Sequence, residues 1–159
     1  MAHTPAPMAV RDLLEELLGR TVDVAPGSPW APVGDVLGTF ALYVDDSLVV
    51  RSVAVCDLGF SAYAGAAIRL LPAQTAVEPV AGDELPTSVA ENLYEVLNVC
   101  AALQNVDGAP HMKLHTVHHI GTPVPPEVAA LAGVLGQRLD LTVSIAGYGE
   151  GRLSFVGVA

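Results

Sequence analysis

Two blocks of three extended runs, separated by two helical runs, set the limits on what this chain can fold into. Residues 21–24, 36–44 and 47–55 form the first block, and residues 112–120, 139–146 and 152–158 the second; most are rich in β-branched and aromatic side chains. Between them, residues 60–71 place Tyr63, Ala67, Leu70 and Leu71 at helical spacing until Pro72 stops the pattern, and residues 88–103 carry a second helical pattern. Strands gathered into blocks in this way argue for an α+β fold, with two long helices packed on an antiparallel six-stranded sheet. The two triplets have the outline of an internal repeat, although no residue-level identity links the halves.

The punctuation between these runs is mostly explicit. Leu13, Leu14, Leu17 and Leu18 give a leading helix over residues 10–18, which Gly19 ends. Residues 1–9, with two prolines, read as a disordered leader ahead of a single domain over residues 10–159. Residues 25–29 contain two prolines that cannot donate to a ladder and read as a loop, whereas Asp45 and Asp46 mark the turn of a β-hairpin. The acidic, proline-containing stretch 74–86 reads as a solvated loop. Thr87 or Ser88 is the expected N-cap of the second long helix, with Glu91 placed to complete a capping box. A short helix is expected over residues 125–137, and residues 147–151 (GYGEG) join the last two strands.

Charge narrows the partners. The chain has 159 residues, 52% of them hydrophobic, which is enough for one core without disulfides or metals. Seventeen acids against seven Lys and Arg give a net charge of −10, which repels phosphate backbones and anionic lipid heads and leaves a protein partner or a small ligand. Cys56 and Cys100 lie in apolar settings without the paired spacing of a redox motif or a zinc site. The N-terminal residues lack the pattern of a signal peptide, and no apolar run approaches membrane-spanning length, so a cytoplasmic location is expected.

The helix over residues 88–103 carries the chemistry. At 100° per residue, Val89, Leu93, Val96, Leu97, Cys100 and Leu103 share one face, while Glu91, Glu95, Asn98 and Ala102 share the opposite one. Glu95 and Asn98 stand at i and i+3, so a carboxylate and a carboxamide project together, with small Ala102 one turn beyond leaving room for an approaching group. An ordinary solvated helix face has the same spacing.

This arrangement resembles the CheC/CheX/FliY family of chemotaxis phosphatases, whose motif is an Asp or Ser, three residues, Glu, two residues, Asn. Here Glu91 stands at the first position, Glu95 at the second and Asn98 at the third. Ala102 replaces a glycine that members usually carry four residues after the Asn, and Pro123 and Pro125 are the nearest candidates for a proline about 22 residues further on. CheC-type and FliY-type members bear a second Glu and Asn pair on the other long helix, but residues 60–71 contain neither, so the likeness is to the CheX type. The resemblance implies hydrolysis of phosphoaspartate on a CheY-like receiver domain, with Asn98 and Glu95 as catalytic residues and Glu91, Glu95 and Ala102 as the partner-binding surface. It implies no cofactor on this chain, since magnesium is expected on the receiver, and it implies a homodimer. In that chemistry the helper positions a water in line with phosphorus, for which an amide suffices, while a carboxylate pairs with the receiver's lysine. A non-catalytic receiver-binding or flagellar-switch-like adaptor of the same fold is the second reading.

Other constellations are weaker. His111, His115, His118 and His119 lie within nine residues, yet on a strand three of them face one side and one the other, spread over about 27 Å at about 3.4 Å per residue. A metal or small-ligand site there is the third reading. Residues 147–151 precede a strand rather than a helix and so do not make a phosphate-binding loop. No serine sits in a Gly-x-Ser-x-Gly elbow, and Trp30 follows Pro29 in a loop.

Overall fold

The computed structural model describes residues 4–32 and 36–158. Six strands, β1 (Val22–Pro26), β2 (Gly38–Val44), β3 (Val50–Asp57), β4 (Lys113–His118), β5 (Arg138–Ile145) and β6 (Gly149–Gly157), form one sheet in the order β1-β5-β6-β3-β2-β4, and every neighbouring pair is antiparallel. The order is symmetric about the β6–β3 junction. On each side lies one half's hairpin, and beyond it the leading strand of the other half. The repeat outlined by the strand triplets is therefore present in the topology, where each half completes the other's edge.

The helices are α1 (Pro7–Leu18), α2 (Leu58–Ala67), α3 (Gln74–Ala81), α4 (Thr87–Val99) and α5 (Pro126–Ala132), with a 3₁₀ segment over Cys100–Gln104 after α4. Strand alternation sends Ala41, Tyr43, Ala54 and Cys56 to one face of the sheet and Phe40, Leu42, Val53 and Val55 to the other. On the first face they meet Val10 and Leu14 of α1, Phe60 and Ala64 of α2, and Leu93, Val96 and Leu97 of α4. The second face is covered by Val128 and Ala132 of α5 and by the loop around Trp30. Arg138 pins that cover. Its guanidinium pairs with Asp140 at 2.8 Å, donates to the carbonyls of Ala132, Val134 and Trp30, and is, like Asp140, only 6% exposed. Burial alone would raise the Asp140 carboxyl, but Arg138 and the Ser154 hydroxyl hold it below the usual carboxylate range.

Several boundaries differ from the sequence reading. Residues 7–9, expected as leader, belong to α1, which opens at Pro7 because proline suits a first helical position whose N–H needs no partner; residues 1–3 lie outside the described residues. Residues 74–81, expected as loop, form α3, since Ala76 buries itself against Ala62 and Ala66 of α2 and this packing outweighs the proline at position 79. The capping box is not formed. Pro86, extended at φ −59° and ψ 142°, is the N-cap, and Thr87 and Ser88 lie inside the first turn of α4. The hairpin turn runs to Val49: Asp45 accepts from the amides of Ser47 and Val49, and the left-handed residue is Leu48. Pro26 belongs to β1, an edge strand that tolerates it, and the short helix ends at Ala132, before Gly133.

Candidate functional site

Leu93, Val96 and Leu97 lock α4 onto the sheet, so its opposite side must face outward. Glu91, Glu95, Asn98 and Ala102 are all exposed, and Val89, Leu93, Val96, Leu97, Cys100 and Leu103 are all buried. Ala102 lies on the 3₁₀ segment rather than on the α-helix, where the tighter winding shifts its direction relative to Asn98.

Three polar contacts tie down the end of α4 and the segment after it, two of them buried and made to strands of the sheet. The Tyr43 hydroxyl, from β2, donates to the Leu97 carbonyl at 2.6 Å, one residue before Asn98. The Ser52 hydroxyl donates to the Gln104 side chain, and Asn105 brackets Met112 by accepting from its amide at 2.7 Å and donating to its carbonyl at 3.1 Å. The first of these ties holds the turn that displays Asn98, and the other two hold the 3₁₀ segment and the residue that follows it. Two exposed apolar side chains flank the stripe, Tyr94 on one side and Val99 on the other.

The structure adds a residue that the sequence reading passed over. Arg69 lies just past the end of α2, and its Nη2 is 2.7 Å from Glu95 Oε1, with both side chains 52% exposed. Its backbone is held by a helix-ending double bond: the Leu71 amide donates to Ala66 and the Leu70 amide to Ala67, with Leu70 left-handed at φ 55°. One clue lies in the charge pattern. Arg69 is the only Lys or Arg between Arg51 and Lys113, a span that includes both central helices and the two acids they carry, Glu91 and Glu95.

The other candidates separate. His115 is the unpaired residue of a bulge in β4, which breaks the expected alternation, and His111 lies outside the strand, 3.8 Å from Asp46. Among the described residues no group of three or more His, Cys, Asp or Glu is placed to hold a metal ion. Both cysteines are free and buried, and burial pushes the Cys100 thiol up to about 12, which leaves it without nucleophilic character at neutral pH. The β5–β6 turn is shorter than the joining stretch expected over residues 147–151: it spans residues 146–148, with Gly147 left-handed at φ 85°, while Gly149, Glu150 and Gly151 already pair with Ile145, Ser144 and Val143 as the start of β6. Pro125 caps α5 on the far face of the sheet. Among the described residues no helix is long and apolar enough to cross a membrane.

No protein-family model and no curated protein matches the chain. Solved structures do. A chain of the CheX–CheY–BeF3–Mg2+ complex from Borrelia burgdorferi aligns with TM-score 0.54 at 9% identity, covering 95% of this chain and 94% of that one. The protein has the CheX-type α+β fold. FliY from Thermotoga maritima aligns with TM-score 0.54 at 13% identity over 96% of this chain and 83% of that one. The FliM middle domain from Vibrio alginolyticus aligns with TM-score 0.56 at 10% identity over 94% and 86%. At these identities the likeness is one of fold.

Proposed function

We propose that this protein accelerates hydrolysis of phosphoaspartate on a CheY-like receiver domain. The observation that carries the reading is that Glu95 and Asn98 are exposed one turn apart on α4, with the turn beneath them tied to the sheet, in a fold shared with a CheX–CheY complex. Asn98 donates to and accepts from a water without changing charge, and so aligns it with phosphorus. Glu95 faces the receiver's lysine and sets the register of the docked helix, with Glu91 and Ala102 completing the contact surface. The magnesium of this chemistry belongs to the receiver. A second copy pairs along one of the open edges, β1 or β4, which an unpaired sheet of this kind leaves available. A monomeric mass by light scattering at tens of micromolar would remove the dimer.

Asn98→Ala tests the catalytic reading. The variant is expected to melt within about 0.5 kcal/mol of wild type, to bind the receiver, and to lose roughly 100-fold of the accelerated dephosphorylation. A stable, binding-competent variant with normal turnover sinks the role of Asn98. The adaptor reading draws on a different observation: the FliM middle domain shares the fold, and Glu95 is already engaged by Arg69. Wild-type protein that binds the receiver without shortening the lifetime of its phosphoryl group would establish it.

A further inference from the structure

The stripe on α4 has an electrostatic difficulty that Arg69 resolves. By themselves, Glu91 and Glu95 present two exposed carboxylates from a chain of net charge −10 to a partner whose distinguishing mark is a phosphoryl group of about −1.5 to −2 charge. Like charges brought together at an interface oppose docking, and the opposition strengthens as water is displaced. Arg69 is the cation held against this face, 2.7 Å from Glu95.

Its geometry suits more than a surface ion pair. A guanidinium carries five N–H donors in a rigid fork, and the contact uses Nη2 on one oxygen of Glu95. An exposed pair of this kind adds little to stability, so the contact is a weak reason for an arginine here. The backbone beneath it is fixed by the double bond that closes α2, and Leu70 is held left-handed to make that closure. Glu95 in turn keeps lone pairs for a further donor, so binding Arg69 does not exhaust it.

Building on the proposed function, we propose that Arg69 is the anion-contacting residue of this site: Glu95 holds one edge of its guanidinium while the remaining N–H groups donate to phosphoryl oxygens on the receiver. Arg69 then makes the face selective for the phosphorylated partner. Glu95 acts twice, as orienter of Arg69 and as acceptor for the receiver's lysine.

The test uses the full chain and a CheY-like receiver from the same cell in two forms, unloaded and loaded with beryllofluoride and magnesium. Affinity for each is measured by calorimetry for wild type, Arg69→Gln and Arg69→Lys. Wild type should prefer the loaded form. Arg69→Gln should lose roughly 10-fold of that preference, the scale of a charge-assisted bond, while its affinity for the unloaded form stays within about twofold. Arg69→Lys should keep part of it, as a point charge without the fork. Unchanged melting of both variants shows that the fold is intact. If wild type prefers the loaded form and Arg69→Gln keeps that preference, or weakens both forms equally, Arg69 is only a prop for Glu95 and the proposal is wrong. If wild type binds both forms equally, the selectivity assigned to Arg69 is wrong while the receiver stays a partner; if it binds neither form, the receiver reading itself fails and the Arg69 proposal falls with it.

Discussion

The two central helices, α2 and α4, cross each other and are built to opposite specifications. α2 is Ala- and Gly-rich and buried on nearly every side, between α3, α4 and β6, whereas α4 buries one face and displays the other. The crossing shows why. A Cβ built on Gly65 would stand 2.5 Å from the Val89 carbonyl oxygen and 2.8 Å from its Cγ1, so the two backbones nearly touch. A helix approached this closely has no surface left for chemistry. α2 contributes to the proposed site only from its end, through Arg69, while α4 and the 3₁₀ segment that follows it carry the stripe. The lesson is that a fold with repeated halves can keep one working face by spending the other helix on packing.

Breaking that division at the crossing should have the largest effect. Gly65→Val puts branched bulk against a carbonyl that cannot move without dragging α4. Against the small gain in helix propensity over glycine, overpacking of this kind should cost about 3 kcal/mol in urea denaturation. It should also shift the end of α2 relative to α4 and separate Arg69 from Glu95. A loss under about 1 kcal/mol, the low end for overpacking, would mean that the helices do not sit in backbone contact.

Much of this was legible in the sequence, and the exceptions share a cause. The two faces of α4 follow from a 3.6-residue period, so the periodicity alone identifies Glu91, Glu95, Asn98 and Ala102 as exposed. The strand blocks likewise announced the antiparallel sheet. What stayed hidden depends on contacts between distant segments. α3 folds because Ala76 finds Ala62 and Ala66, and no local pattern in an acidic, proline-containing stretch reveals that. Arg69 meets Glu95 across 26 residues, so its membership of the site needed the crossing of α2 and α4. The capping box failed for a local reason, because Pro86 started the helix earlier than the Ser and Thr signals indicated.

A second test sharpens the α4 side of the comparison. Tyr43 is fully buried, and its hydroxyl meets the Leu97 carbonyl just below Asn98. Tyr43→Phe keeps the packing and removes the bond, which should cost about 1 kcal/mol and speed hydrogen exchange of the amides after Leu97. If exchange is unchanged, the tie does not hold that turn. The same residue contributes to alkaline sensitivity. Burial raises the Tyr43 hydroxyl and the Cys56 and Cys100 thiols, so each stays protonated in the folded chain at a pH where the unfolded chain has lost the proton. Folding therefore holds its full stability below the unfolded thiol pKa of about 8.5 and loses it as pH rises, first through the thiols and then, above about 10, through Tyr43. Tyr43→Phe should flatten only the part above about pH 10.

The smallest expected effect lies at the end of α2 and has the opposite sign. Leu70 is left-handed at φ 55° and 73% exposed, so it bears the steric cost of that conformation while contributing little burial in return. Glycine adopts the same closure without the Cβ clash, at the expense of a more flexible unfolded chain. Leu70→Gly should therefore raise stability by about 0.5–1 kcal/mol with the Leu71-to-Ala66 and Leu70-to-Ala67 bonds retained. Because Arg69 immediately precedes this residue, the substitution also asks whether the closure is needed in its strained form. If Leu70→Gly stabilises the fold and leaves the proposed preference for a phosphorylated receiver intact, the closure serves only to place Arg69. If it stabilises the fold but lowers that preference, the bulky leucine is itself part of the docking surface beside Arg69, and the end of α2 contributes two residues to the face that α4 presents.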